Sequence, residues 1–242
     1  MHRFYFDETR RENDRVRLDE EESKHALQVL RLKKDAKIVL LDGLGGVYVA
    51  QVIDTSKQRV VAAILSELPD NEAGTRVTLY QGLPKADKME SILQKCTELG
   101  VHAVQPVLFS RCVRDPLKSG DKWLLRLRRI AREAAKQCGR GQVPMVGQPK
   151  SFAEMMERLA GHRLVLIPWE EAAGAHIRDV LRDHPAREIA LVIGPEGGIT
   201  PEEIGRLTAL GAKTVTLGPR VLRTETAGMA ALAAILTLTG DL

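Results

Sequence analysis

The stretch LVIGPEGGITPEE (residues 191–203) decides how this chain is read. An apolar, β-branched run stops at Gly194-Pro195, and a loop of Glu196, Gly197 and Gly198 follows. Thr200 is then a natural N-cap, Pro201 suits the first helical position, and Glu203 completes a capping box. The pattern is strand, bare loop, helix. Glycine costs backbone entropy, and three glycines within five residues exceed what a tight turn needs. The excess points to close approach of a ligand. Phosphate is the usual guest at a helix N-terminus. This loop holds no Lys or Arg and does hold Glu196, so a neutral or cationic ligand fits it better.

Outward from this stretch the same alternation repeats. RVTLYQGL (76–83), HAVQPVLF (102–109), HRLVLIPW (162–169), EIALVIGP (188–195) and KTVTLG (213–218) are strand candidates with helical patterns between them. Met89, Ile92, Leu93, Cys96 and Leu99 mark one helix face, and Gly100 is its C-terminal stop. Such alternation predicts an α/β fold with a mostly parallel sheet covered by helices. Ligands of open α/β sheets bind beyond the carboxyl ends of the strands. The loops to read are therefore GLPKADK (82–88), FSRCVRD (109–115), IPWEEAAG (167–174), GPEGGITPEE (194–203) and GPRVLRTETAG (218–228). The last crowds Arg220, Arg223, Thr224, Glu225 and Thr226 ahead of AGMAALAAILTL (227–238). That helix is apolar nearly all round and must be buried on most sides, in the core or against a second subunit.

Residues 1–68 follow a different period. HRFYF, RVRL, KIVLLDG, VYVAQVID and RVVAAILSEL are short β-prone runs, interrupted by the charged helical piece DEEESKHALQVLRL. Short strands with Gly turns predict a small β-barrel. DGLGG (42–46) lacks the third glycine of a dinucleotide fingerprint and reads as a hairpin turn. PDNEAGT (69–75) is the polar break between domains, expected at 1–70 and 74–242.

At 44% hydrophobic and 28% charged residues, the 242-residue chain can build an ordinary core. No apolar run approaches the roughly 18 residues of a membrane span, and MHRFYFDETRREND has no signal-peptide core, so the expected location is the cytoplasm. Cys96, Cys112 and Cys138 form no CxxC pair, and the six histidines show no ligand spacing, so no metal is expected. Cys96 reads as core, whereas Cys112 and Cys138 lie among arginines that favour a thiolate. The net charge of +4 hints at a polyanionic partner. In DKWLLRLRRIAREAAKQCGRGQVP (121–144), Trp123, Leu127, Ile130, Ala131 and Ala134 mark an apolar face. Arg126, Arg129, Arg132 and Lys136 fall opposite it, and Arg140 follows, a track suited to a phosphate backbone. Lys85, Lys88, Arg111 and Arg31 complete the candidate RNA-binding set.

The motifs QGLPKADKMESILQKCTELGV (81–101), IAREAAKQCGR (130–140), LVIGPEGGITPEE and LGPRVLRTETA (217–227), in that order, resemble the SPOUT-class methyltransferases. Specifically they resemble the bacterial small-subunit ribosomal RNA uridine N3-methyltransferases. KHALQVLRLK (24–33) and LLDGLGGVYVAQV (40–52) resemble that family's PUA-like barrel. Ser110 stands where the family often has Glu, and Asp35-Ala36 replaces a usual Gly-Asp turn. The resemblance implies a C-terminal trefoil-knot domain that binds S-adenosylmethionine, and a homodimer. It places the donor against Ile167, Pro168, Gly194, Glu196, Gly197, Gly198, Leu217, Gly218, Leu222, Arg223, Thr226 and Ala227. N3 of uridine carries a proton that must leave as the methyl arrives. A base can take it, or a cation can stabilise the anion on the neighbouring carbonyls. Arg223 is the candidate for the cationic role. Glu225 or Glu196 is the candidate base, or orients Arg223. Two alternatives stay open at this point: another RNA methyltransferase of the same fold, acting on a ribose hydroxyl or another base, and a non-catalytic RNA-binding assembly factor.

Overall fold

The computed structural model describes residues 1–69, 71–85, 87–113, 121–172 and 175–242. Residues 86, 114, 115, 173 and 174 of the loops singled out above lie outside the described residues, as does residue 70 of the interdomain break. The chain forms two compact units. One is Met1–Glu72 together with Arg132–Val143; the other is Ala73–Ala131 together with Pro144–Leu242. The N-terminal segment of the first unit ends at Glu72, inside the polar stretch PDNEAGT. The return of Arg132–Val143 to the first unit was not legible in periodicity, because one helix carries the chain through both assignments.

The first unit is a six-stranded sheet. Its strands are β1 (His2–Tyr5), β2 (Arg11–Glu12), β3 (Arg15–Arg17), β4 (Lys37–Leu41), β5 (Val47–Asp54) and β6 (Val61–Leu68). They run in the order β1-β4-β5-β6-β3-β2. β1 pairs parallel with β4 and every other neighbour is antiparallel. The hairpin reading of residues 42–46 holds. Asp42 Oδ1 accepts the amides of Leu44 (2.7 Å) and Gly46 (2.9 Å), and Gly43 and Gly45 take positive φ. Asp35 itself adopts φ 71°, so the turn that departs from the family's Gly-Asp is made by an aspartate in the left-handed region. Phe4, Phe6, Val16, Leu18, Ile38 and Leu40 fill the core, over which α1 (Glu20–Lys24) is capped by Asp19. A second cluster joins Tyr5, Val39, Leu41 and Val47 to Ala135 of the returning segment.

The second unit holds a seven-stranded sheet in which every pair is parallel. Its strands are β7 (Arg76–Gly82), β8 (Ala103–Leu108), β9 (Met145–Val146), β10 (Lys150–Ser151), β11 (Leu164–Pro168), β12 (Glu188–Ile193) and β13 (Lys213–Val215). The order is β10-β8-β7-β12-β11-β13, with β9 also on β8. The interleaved helices are α2 (Lys88–Leu99), α3 (Asp121–Cys138), α4 (Phe152–Leu159), α5 (Ile177–Asp183), α6 (Pro201–Ala209) and α7 (Thr224–Thr239). All five sequence-predicted strands are present; the two-residue β9 and β10 are too short for a periodic signal. From Ile189 to Ile193, β12 is buried throughout, as a strand covered on both faces must be. It lies between β7 and β11, which brings the loops after these three strands side by side.

The predicted caps form. Thr200 Oγ1 accepts the Glu203 amide and the Glu203 carboxylate accepts the Thr200 amide. Gly100 closes α2 with φ 101°. Helix α7 packs on α2, α5, β7 and β12. It buries Gly228, Ala231, Leu232, Ile235 and Leu236, while Met229, Ala230 and Ala233 are half-buried and Leu238 is 50% exposed. Its apolar circumference is thus covered on one side rather than all round. No helix among the described residues is long and apolar enough to cross a membrane.

Candidate active site

Two adjoining recesses, about 440 and 430 Å³, open at the carboxyl ends of the central strands of the second unit. They share Pro168, Trp169, Glu170, Val221, Leu222 and Ala227 and form one cleft. The first continues along residues 216–220, which include Leu217 and Gly218. The second takes in Gly194, Glu196, Gly197, Gly198, Lys88, Arg223 and Thr224. Most of the expected donor-contacting set therefore meets in one place. Two members do not line it. Ile167 is fully buried in the core behind the cleft, and Thr226 is exposed on the first turn of α7.

The glycines divide into two uses. A Cβ on Gly82 would come within 2.5 Å of Pro195 N, and one on Gly197 within 2.9 Å of Arg111 Cβ. These positions let backbone pass backbone and loop pass loop. Gly198 and Gly218 instead need glycine for conformation, with φ of 72° and 105° and no atom within 3.7 Å of an added Cβ. Their open faces belong to the cleft.

The loop is tied to its neighbours by polar hooks. Thr224 Oγ1 donates to the Gly194 carbonyl (2.6 Å) and accepts from Gln81 Nε2 (2.9 Å). Arg111 Nη1 donates to the Gly197 carbonyl (2.8 Å). The Ser110 amide donates to Glu203 Oε1 (2.9 Å), so the family-variant serine contributes backbone here. The Glu196 carboxylate accepts the Lys85 amide (3.0 Å), and Lys88 Nζ lies 3.1 Å from Glu196 Oε1 and 3.3 Å from Glu225 Oε2. Burial would raise the Glu196 carboxyl, but the amides and the Lys88 ammonium outweigh it and hold the group below its usual range. The hydrogen bond to Glu196 in turn raises the Lys88 ammonium.

This revises the charge argument made from the loop alone. Its sequence holds no basic residue, but the fold brings Lys88 and Arg111 onto it. Glu196 is compensated. The carboxylate that faces the cleft without an ion-pair partner among the described residues is Glu170, close to Gly198. Arg223, the N-cap residue of α7, is exposed, lines the same recess and makes no ion pair among the described residues.

The remaining candidates scatter. Of the cationic track on α3, Arg126 pairs with Glu90 at 2.8 Å. In the first unit, Arg132 stacks over the Tyr5 ring at 4.8 Å and Lys136 pairs with Glu22 at 2.7 Å. Arg140 is 6% exposed and its Nε donates to Glu72 at 3.0 Å. Within the first unit, Lys136 and Arg140 are thus paired with carboxylates, whereas the sequence reading set them on a track for a phosphate backbone. Arg31 and Lys85 are exposed. Cys96 is fully buried, its thiol pushed up to about 12. Burial also raises the Cys112 thiol, so the neighbouring arginine does not make it a thiolate. Sequence reasoning missed Glu170, Trp169, Thr224 as a hook, and Gln81. Trp169 and Glu170 lie in a loop already singled out, and Thr224 is a hydroxyl next to Arg223; Gln81 depends on strand order.

Comparison with known proteins agrees with this geometry. Residues 71–236 match the RNA methyltransferase domain family and residues 18–65 match the RNA methyltransferase PUA domain. A ribosomal RNA small subunit methyltransferase E of Bacillus subtilis is 34% identical, the match covering 89% of this chain and 87% of that protein. Its namesake in Synechocystis is 39% identical over 87% of this chain and 69% of the relative. The crystal structure of the Neisseria gonorrhoeae namesake bound to S-adenosyl methionine superposes with a TM-score of 0.88 at 36% identity, covering 98% of each chain. The chain belongs to the RNA methyltransferase domain family and, within it, to the family of the ribosomal RNA small subunit methyltransferases E.

Proposed function

We propose that the cleft binds S-adenosylmethionine and that the chain methylates N3 of a uridine in small-subunit ribosomal RNA. The observation that carries this reading is the convergence of the glycine loop, the 216–223 turn and Trp169-Glu170 on one cleft beyond the carboxyl ends of parallel strands. Recesses of about 440 and 430 Å³ suit a ligand of nucleoside size. Open backbone at Gly198 and Gly218 offers hydrogen bonds to an adenine and ribose. Glu170 and the Trp169 ring suit a cation. When bound, S-adenosylmethionine supplies a methyl group activated on a positive sulfur.

The chain's own residues have three tasks. The loops hold the reacting groups in line, which removes much of the entropic barrier. Arg223 faces the charge that builds on a uracil carbonyl oxygen as N3 loses its proton and gains carbon. Glu196, paired and held below its usual range, is a weak base, which favours this cationic role over proton abstraction by Glu196. N3 lies on the Watson–Crick edge, so the uridine must be unpaired or flipped out.

RNA contacts are assigned within each unit. In the first, Arg10, Arg17 and Arg59 line a recess of about 450 Å³, and Arg31 is exposed. In the second, Lys85, Arg111, Arg126 and Arg129 remain candidates. The half-covered apolar side of α7 supports a homodimer through that helix, and a trefoil knot in the C-terminal part of the second unit is the form expected of a SPOUT-class chain. The cytoplasm, where small subunits assemble, is the expected location. The test is mass mapping of ribosomal RNA from a strain lacking this protein, with the purified chain added back. Loss and restoration of one N3-methyluridine supports the reading; a methyl on ribose or on C5 overturns it.

A further inference from the structure

Lys88 was grouped above with the RNA-binding candidates. Its surroundings argue otherwise. It is the first residue of α2, and its ammonium lies between two carboxylates from separate elements. Glu196 belongs to the glycine loop after β12; Glu225 belongs to the first turn of α7. Glu225 Oε2 is buried and takes no hydrogen bond among the described residues, so the ammonium at 3.3 Å is its counter-charge there. Lys88 also lines the recess that holds the glycine loop and Arg223.

Two carboxylates this close repel one another unless a cation lies between them. An ammonium so placed carries less charge than the two anions around it, and a phosphate approaching it meets net negative charge. That is a poor phosphate site and a good clamp. A second tie runs in parallel, from Thr224 Oγ1 to the Gly194 carbonyl, but it fixes only the base of the loop. The Lys88 bridge fixes its tip, at Glu196, to the turn that begins immediately after Arg223.

We propose that Lys88 is a positioning residue for methyl transfer, clamping the tip of the glycine loop to the first turn of α7 so that Arg223 is held over the cleft. The proposal rests on the reading of that cleft as the donor site. It assigns Lys88 no contact with RNA and no part in proton transfer.

The test uses the full chain with S-adenosylmethionine and small ribosomal subunits from a strain lacking the protein. Single-turnover rates are read at saturating subunits, with KM and its salt dependence alongside, for Lys88→Met, Lys88→Arg, Glu225→Gln and the Lys88→Met/Glu225→Gln pair. Lys88 is part-exposed at a helix start, so the variants are expected to fold, and melting curves verify this. Misplacing a reacting group by about an ångström costs on the order of a hundredfold. Lys88→Met is therefore expected to lower the single-turnover rate by roughly 10- to 100-fold, with KM for subunits and its salt slope at the wild-type value. Lys88→Arg recovers most of the rate. The double variant is no slower than the slower single, because both remove the same clamp. A wild-type rate in Lys88→Met overturns the proposal, as do multiplying losses in the double variant. A loss confined to KM with a salt slope lower by about one unit makes Lys88 a phosphate contact instead. A wild-type chain that neither binds S-adenosylmethionine nor methylates fails the donor-site reading itself, and the clamp with it.

Discussion

Thr224→Val tests the hook that holds the base of the glycine loop. The two side chains are nearly the same size, so the change removes a hydroxyl and little else. Thr224 is 6% exposed and its Oγ1 makes two hydrogen bonds, to the Gly194 carbonyl at 2.6 Å and from Gln81 Nε2 at 2.9 Å. Gln81 is fully buried and its Nε2 keeps a second acceptor, the Gly82 carbonyl at 3.0 Å. The main loss therefore falls on Gly194. A buried polar group left without its partner costs about 1–3 kcal/mol. For a chain of this size each kcal/mol moves the midpoint by roughly 2–4 °C, so the expected fall in Tm is about 2–12 °C. Donor affinity, read by calorimetry, is expected to weaken several-fold because Gly194 lies in the cleft. Thr224→Ser keeps the oxygen and gives up one methyl, about 0.8 kcal/mol of burial, and should retain donor affinity. Thr226→Val, at an exposed position one turn-start away, should leave Tm unchanged. A Thr224→Val protein with wild-type Tm and donor affinity refutes the hook. A loss in the Ser variant with none in the Val variant would show that the methyl packs and the hydroxyl does nothing.

The other predictions concern the cleft, the first unit and the assembly. Arg223→Ala should lower kcat by about a hundredfold to a thousandfold, with donor affinity changed much less; a loss seen mainly in KM for RNA would make it a grip rather than a catalytic group. Gly198→Val forces a β-branched residue to φ 72° on the open face of the cleft and should abolish donor binding while the first unit's melting transition survives; calorimetry showing wild-type affinity removes this loop from the site. Lys136→Met strands the largely buried Glu22 carboxylate and should destabilise the first unit by about 3–5 kcal/mol, with the salt slope of RNA binding unchanged; a stable variant with a reduced slope would return Lys136 to the RNA surface. The chain should sediment as a dimer at micromolar concentration, and Met229→Glu, on the half-covered side of α7, should shift it toward monomer.

How much of this was legible in the sequence depends on how local each cause is. The five strands, the capping box of Thr200 and Glu203, the stop at Gly100 and the 42–46 hairpin each rest on neighbouring residues, and each formed. The glycine loop and the Arg220–Thr226 cluster could be seen as unusual because they carry more glycine or more charge than a turn requires. That they face one another was not visible, since it follows from β12 lying between β7 and β11 and from β13 lying beyond β11. The α3 track shows the opposite error. Helical spacing put Arg132 and Lys136 on one face with Arg140 just past the helix, but spacing says nothing of what these side chains meet, and Tyr5, Glu22 and Glu72 come from distant sequence.

The same non-locality decides the electrostatics of the site, and with it the division of labour. Read along the chain, the glycine loop is anionic and the turn before α7 is mixed, which makes Glu196 and Glu225 look like bases. In the fold both carboxylates converge on Lys88, and in the recess that holds the glycine loop Glu170 and Arg223 are left without an ion-pair partner among the described residues. They line the same recess with opposite sign. Methyl transfer from a sulfonium to a uracil nitrogen moves positive charge away from the donor while negative charge gathers on the acceptor's carbonyl oxygens. A fixed anion beside the donor binds the ground state, and a fixed cation beside the acceptor is worth most as the transition state forms. Neutralising Glu170 should therefore weaken donor binding with little effect on the single-turnover rate at saturating donor, the reverse of removing Arg223. A Glu170→Gln variant that loses rate but not donor affinity would exchange these roles and leave the cleft without an account of its charge.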